Sequence, residues 1–441
     1  MMLQSNLNHL ASNAASIPLN SYISPRNRND VAVNDPKYIS MFNKDNIGVN
    51  EASIYNYRGI DCCEKGKFDE GIEHFNTVIA LVPKFAGAYY NRGTAYAQKG
   101  DFDNAITDYT KAIDLKSDYV AAYINRGNAY DKKGDFDKAI EDHTKAIHLN
   151  PDDANVYYNR GIAYADKGDF DAAIGDFTKV IHLNPNDTYA YCNRGTVYSR
   201  NDEFDLALED FNTAIGLDPK FAAAYFQRGI AHDSKGESEK ALEDYNTAIK
   251  LEPNFAPSYN LRGLYYSAKG EYKQAIKDFS RTIELKEDLS GIGALGFEIV
   301  VFAYMAYCVR GMIYHSKGEI DLAITDFTKA IELYPKFAEV YVRRGIELNP
   351  KLEEVYVSRG MAYTKKGEFE RAIVDYAEAI ALKPDDADAY YRRSKVWLHL
   401  GQPEKAKADM QTASKIGINS STALDETLQN YDRAWKALGN L

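Results

Sequence analysis

His148 and His182 each open a His-Leu-Asn-Pro tetrapeptide, 34 residues apart. Two imidazoles at one offset in successive structural units could share a metal ion, but solvated surface histidines are the simpler reading, and no metal is expected. The stretch DKGDFD, Asp166–Asp171, has the alternating acids of a cation loop. It lacks the later ligands and closing Glu of an EF-hand, and an acid placed just after a glycine also starts a helix. Cys62, Cys63, Cys192 and Cys308 show no CxxC spacing and no disulfide framework, which points to a reducing compartment and a cytoplasmic location. Nucleophile elbow, phosphate loop, Rossmann glycine pattern and HExxH are all missing from the sequence. The chain therefore reads as a non-enzyme without a cofactor. What remains is the chemistry of recognition. Asn91, Asn125, Asn159 and Asn193 each stand directly before Arg-Gly. An amide offers both donor and acceptor, and so can bridge to a peptide backbone whatever its sequence.

The elements that position these amides are written in the spacing. Arg-Gly recurs at 58/59, 92/93, 126/127, 160/161, 194/195, 228/229 and 262/263, always 34 residues apart. It returns at 310/311, 344/345 and 359/360, and Arg393-Ser394 is a degenerate eleventh copy. A period of 34 is that of stacked helix–turn–helix units. Counted from the Gly, Tyr stands at −4 in every copy, from Tyr55 to Tyr390, and an aromatic usually at +3, as in Tyr96, Tyr130 and Tyr164. Positions −4, −1, 0 and +3 form one face of a first helix. Lys-Gly-Asp or Lys-Gly-Glu then ends that helix and starts a second. The second carries Ala at +12 and +19 (Ala105, Ala112) and an aromatic at +16 (Tyr109, Phe177), a pattern of close backbones with a ring between them. His143 takes the +16 place in its repeat and is expected in the core. Proline at +24, as in Pro83, Pro151 and Pro185, stops the second helix.

This pattern resembles the tetratricopeptide repeat (TPR) family, whose Tyr, Gly, aromatic, Ala, aromatic, Ala and Pro it follows in order and spacing over about residues 52–420. The resemblance implies an all-α, right-handed solenoid whose first helices line a concave groove, and binding of a protein or peptide partner without chemistry. The domain organisation expected is a disordered Asn/Ser-rich leader over 1–51, seven regular repeats over 52–289 and an apolar insertion at 290–303. A repeat over 304–337, a truncated one over 338–352, two repeats over 353–420 and a capping helix over 421–441 complete it.

The face at −6, −3, −2 and +1 points away from the core within each repeat, about 200° round the helix from −4. It holds the candidate peptide-binding residues Asn91, Asn125, Asn159, Asn193 and Gln227 at −2, Tyr90, Ile124, Tyr158 and Phe226 at −3, and Asn128 at +1. The amide row resembles the ladder in the TPR superhelix of O-GlcNAc transferase, which grips extended peptide. It fits the carboxylate clamp of chaperone-binding TPR proteins less well. Asn128 and Asn159 match that clamp's asparagines, but Ile124, Tyr189 and Asn193 stand where it needs cations. The leading expectation is a scaffold that holds an extended peptide segment. A structural assembly subunit using its outer surface is the alternative, and a co-chaperone the less favoured third reading.

Arg at −1 and Asp at +15 recur together, from Asp108 to Asp409, and predict ion pairs across repeat boundaries such as Asp108 with Arg126. The apolar run Ile292–Val309 carries Glu298 and glycines, so a docked helix or loop is expected in preference to a membrane span. The short step from Arg344 to Arg359 predicts a continuous or kinked helix from Ala338, a break at Pro350 and weakened stacking there. A net charge of −11 argues against nucleic acid as the partner. The first twenty residues lack the basic and apolar regions of a secretory signal.

Overall fold

The computed structural model describes residues 47–288, 295–344 and 352–417; the leader ahead of residue 47 and the capping helix expected over 421–441 lie outside the described residues. Every regular element described is an α-helix. These residues fall into two compact units, divided between Ala231 and His232. The first unit holds α1 (Ile47–Glu64), α2 (Phe68–Leu81), α3 (Ala86–Gln98), α4 (Phe102–Leu115), α5 (Val120–Lys133), α6 (Phe136–Leu149), α7 (Ala154–Lys167), α8 (Phe170–Leu183), α9 (Thr188–Arg200) and α10 (Phe204–Leu217). The division falls inside α11 (Ala222–Ser234). The second unit continues with α12 (Ser238–Leu251), α13 (Ala256–Ala268), α14 (Tyr272–Asp288), α15 (Leu295–Lys317), α16 (Ile320–Arg344), α17 (Leu352–Lys366), α18 (Phe369–Leu382), α19 (Ala387–His399) and α20 (Pro403–Ile416). Within each unit, apart from α11 at the division, each helix packs on the next in the chain, which makes each unit an α-solenoid.

The turn between first and second helix follows from two residues. Gly134 and Gly168 close α5 and α7 with φ of 77° and 90°, a conformation that costs glycine little. Asp then caps the second helix: the Asp101, Asp135 and Asp169 carboxylates accept from the backbone N–H of Asn104, Lys138 and Ala172. In DKGDFD, then, Asp169 is a helix cap. Glu203, Glu237 and Glu368 stand in the same place and make no such bond, consistent with a side chain one methylene too long.

Within a repeat the two helices approach through small residues. Ala165, Ala173, Phe177 and Val180 are fully buried in one cluster. A Cβ on Gly161 would lie 3.1 Å from the Phe177 ring, so a side chain there would press on the ring where the two helices approach closely. Where the aromatic is His143, it too is buried and lies against Gly127.

The second unit departs from the regular pattern at two connections. α14 runs on to Asp288 and α15 begins at Leu295, so the expected insertion lengthens the flanking helices around 289–294, which lie outside the described residues. Phe302–Val309 are buried, and no helix among the described residues is long and apolar enough to cross a membrane. Second, α16 passes through Pro335 to Arg344, so the +24 proline does not end this helix. The helix expected to start at Ala338 is instead the continuation of α16, and α17 starts just beyond Pro350.

Candidate functional site

Arg at −1 reaches across the joint where the preceding repeat offers a hydrogen-bonding side chain at +17. Arg160 donates through Nε and Nη2 to both carboxylate oxygens of Asp176, at 2.8 and 2.7 Å. Its Nη1 reaches Thr144 Oγ1 of the preceding repeat at 3.0 Å, and its guanidinium lies 5.7 Å from the Tyr157 and Tyr164 rings. Arg92, Arg126 and Arg194 repeat this arrangement with Asp108, Asp142 and Asp210. This corrects the expected register. Asp108 pairs with Arg92 of its own repeat, and what Arg126 reaches across the boundary is Thr110. A carboxylate at +15 lies one residue from the +16 ring, and therefore faces its own first helix. The acceptor that crosses the joint is the +17 side chain, Asn76, Thr110, Thr144 or Thr178. Its signal was a hydrogen-bonding residue at +17 in copy after copy. The charges are not idle: burial raises the carboxyls of Asp142 and Asp176 above the usual range, against the pull of their arginines. A second row of pairs crosses the same joints, Lys99 to Asp69, Lys133 to Asp103 and Lys167 to Asp137.

The asparagines at −2 serve the stack first. Asn91 Nδ2 donates to Asn56 Oδ1 at 3.0 Å, Asn125 Nδ2 to the Tyr90 hydroxyl at 2.9 Å, and Asn193 Nδ2 to the Tyr158 hydroxyl at 2.7 Å. Each bond links a −2 amide to the −3 side chain of the repeat before it. Asn91, Asn193 and Gln227 are buried. So are Tyr90, Tyr158 and Phe226, which corrects the expectation that they offer apolar surface to a ligand. Tyr90 packs between Tyr109 and Tyr119, at 5.8 and 5.0 Å, and Tyr158 meets Phe177 edge-on at 5.8 Å. The −3 position faces the next repeat, and the stacking of neighbours closes it off.

Among the asparagines at −2, one joint breaks this rule. By the same register the partner of Asn159 is Ile124, which has no atom to accept a hydrogen bond. Asn159 on α7 and Asn128 on α5 are half-buried and make no side-chain hydrogen bond among the described residues. Ile124 is also half-buried, and Asn128 stands one helical turn beyond it on the same face. Of the ten residues singled out in the sequence, Ile124, Asn128 and Asn159 thus retain both exposure and unused capacity. Asn125 is half-buried but engaged. No group of histidine, cysteine or acidic residues suited to a metal occurs among the described residues.

The irregular connections of the second unit carry the same joints. Arg310 reaches Ser280 Oγ at 2.7 Å and Arg359 reaches Thr328 Oγ1 at 3.2 Å, the contact that Arg262 makes to Asn246 at 2.7 Å. Lys366 pairs with Asp321 at 2.9 Å, as Lys269 does with Glu239 at 2.8 Å. Helix α16 therefore joins directly to α17. The weakened stacking expected from a truncated repeat has no counterpart in these contacts.

Fold and site together define an α-solenoid repeat protein of the interaction type. Residues 59–100, 93–134, 127–168 and 360–401 match the TPR repeat, and residues 154–187, 188–221, 222–255, 304–337 and 244–277 match the tetratricopeptide repeat. The chain belongs to the tetratricopeptide repeat family. Among solved structures it is similar to a tetratricopeptide repeat protein from Parabacteroides merdae, with 21% identity, 58% of this chain and 99% of the other covered, and a TM-score of 0.51. That likeness shows the fold. YrrB, described as a TPR protein with an unusual peptide-binding site, is 26% identical over 42% of this chain and 95% of its own, with a TM-score of 0.36. MamA is 33% identical over 37% of this chain and 95% of its own, with a TM-score of 0.33. No curated protein matches the chain.

Proposed function

We propose that this protein-interaction scaffold is non-catalytic and holds an extended peptide segment on its first helices, centred on Ile124, Asn128 and Asn159. The observation that supports this reading is the contrast within the asparagine row. Asn91, Asn125 and Asn193 are engaged by neighbouring repeats, whereas Asn128 and Asn159 keep their amides open beside a half-exposed isoleucine. Two amides one repeat apart can each take a backbone C=O and N–H of an extended ligand, and Ile124 can cover an apolar side chain. None of the three carries charge, so binding depends weakly on salt, unlike a carboxylate clamp. Ordering a flexible ligand keeps the affinity modest.

The test is capture of partners by wild type and by the Asn128→Ala/Asn159→Ala protein. Loss of capture with unchanged helicity and melting supports the reading; equal capture sinks it. A second reading, assembly through the outer surface, is favoured by Leu81, Leu149 and Leu217, which end their second helices at one offset and are more than a third exposed. Capture that survives the asparagine changes but is lost in Leu149→Glu/Leu217→Glu selects it.

A further inference from the structure

The two open amides share their face of the first unit with an aromatic pair. Offset −6 lies about 20° round a first helix from +1, the place of Asn128. In α3, α5, α7 and α11 it holds Gly87, Ala121, Asn155 and Ala223, but in α9 it holds Tyr189. This ring is half-buried and meets the half-buried Phe221 edge-on at 4.9 Å. The pairing has a local cause. Phe221 stands at −8, and Tyr119, the ring at −8 ahead of α5, packs at 5.0 Å on Tyr90, the −3 side chain of the repeat before. Ahead of α11 the −3 side chain of the repeat before is Cys192, buried and too small to occupy a ring of this size. Phe221 packs beside Cys192 and its ring extends to Tyr189.

Ile124 on α5 and the Tyr189–Phe221 pair at α9 thus bracket Asn128 and Asn159. Consecutive first helices touch, since Asn125 donates to Tyr90 and Asn193 to Tyr158. Helices in contact lie about 8–10 Å apart, so the two steps from α5 to α9 make about 16–20 Å. An extended chain covers that distance in about five or six residues. Charge within the span is balanced, because Arg200 lies 3.9 Å from Asp166. The exposed Lys132 stands one turn beyond Asn128 on α5, on the side away from Ile124, and so outside the span.

We propose that the ligand of this face is a peptide segment, uncharged over the span, that carries two apolar side chains about five or six residues apart. An aliphatic one lies on Ile124 and an aromatic one on the Tyr189–Phe221 pair. The inference rests on the reading that Asn128 and Asn159 hold extended peptide. A third ring set against an edge-on pair gains both apolar burial and ring–ring contact. The residues between are held through their backbone by the two amides, which do not select side chains. Tyr189 stands where a carboxylate clamp has a cation, so this end of the face takes a ring in place of an acid.

The test is selection of a phage-displayed library of random peptides, about twelve residues long or twice the span, on the full chain. Wild type should enrich sequences with an aliphatic and an aromatic residue at the stated spacing. A selected peptide should bind Tyr189→Ala at least about tenfold more weakly, and selection on that variant should lose the aromatic preference alone. Tyr189→Lys should replace it with a preference for Asp or Glu, a gain that misfolding does not produce. An aromatic preference that persists in both variants, or enriched peptides without the spacing, overturns the proposal. The groove reading survives that result if Asn128→Ala/Asn159→Ala abolishes enrichment. Enrichment untouched by the asparagine changes, or no enrichment on wild type, overturns both.

Discussion

The joint at Arg160 in the first unit and the joint at Arg359 in the second are reached by different lengths of chain. Arg160 follows Arg126 by 34 residues, whereas Arg310 follows Arg262 by 48 and Arg359 follows Arg310 by 49. Yet Arg160 grips Asp176 and Thr144, and Arg359 grips Asp375 and Thr328, in the same bidentate-plus-one arrangement. The joint is thus specified by a constellation of side chains, and the connection only has to be long enough. Polymer physics agrees, because lengthening a flexible connection fourfold costs about 1 kcal/mol. Breaking a buried bidentate pair costs more than that, because its carboxylate is left unpaired out of water.

If the constellation and not the spacing governs stacking, Arg160→Ala and Arg359→Ala should lose similar stability, about 3 kcal/mol each, because each leaves a buried carboxylate unpaired. Urea unfolding combined with hydrogen exchange of the flanking helices measures both. A loss at Arg359 under about 1 kcal/mol would break the comparison, since it is the size of an exposed pair. In wild type, the amides of 355–376 should be as protected as those of 156–177.

His143 sharpens the contrast between joints inside the first unit. Burial, helped by the Arg160 charge, lowers its imidazole from the ordinary range to about 3. The unfolded chain takes up this proton below about pH 6.5 and the folded one does not, so stability falls as pH drops through that window, by at most about 1.4 kcal/mol per pH unit. The raised carboxyls of Asp142 and Asp176 act in the opposite sense. Comparison of wild type with His143→Phe therefore isolates the histidine: the difference in melting temperature should widen from pH 7 to pH 5, and a constant difference contradicts it.

Gly161→Ala and Gly311→Ala test the packing behind the two kinds of joint. A Cβ would lie 3.1 Å from Phe177 in one and 2.9 Å from Phe327 in the other. Each should cost about 2 kcal/mol, from overpacking between close helices. The smallest effect belongs to Asp202, whose φ of 60° occupies the left-handed region where glycine closes the other turns. Asp202→Gly should raise stability by about 0.5–1 kcal/mol. Asn201→Lys, which gives Asp171 the partner that Asp137 has in Lys167, should add less. Differential scanning calorimetry of the two variants orders them.

The sequence alone determined the period, the two helices of each repeat, the glycine turn and the core. All of these rest on local chemistry: the 3.6-residue face, the left-handed glycine, the capping aspartate and the ring that fills the space above Gly161. The tertiary structure decided which neighbour each polar side chain serves. Arg126 could face Asp108 or Asp142 by composition alike; the choice follows from the +15 carboxylate turning toward its own first helix. Whether an asparagine at −2 is open or engaged likewise depends on the −3 residue of another helix, Tyr90 for Asn125 but Ile124 for Asn159. The period shows that these residues recur, but a side chain 35 positions away becomes a partner only when the repeats stack.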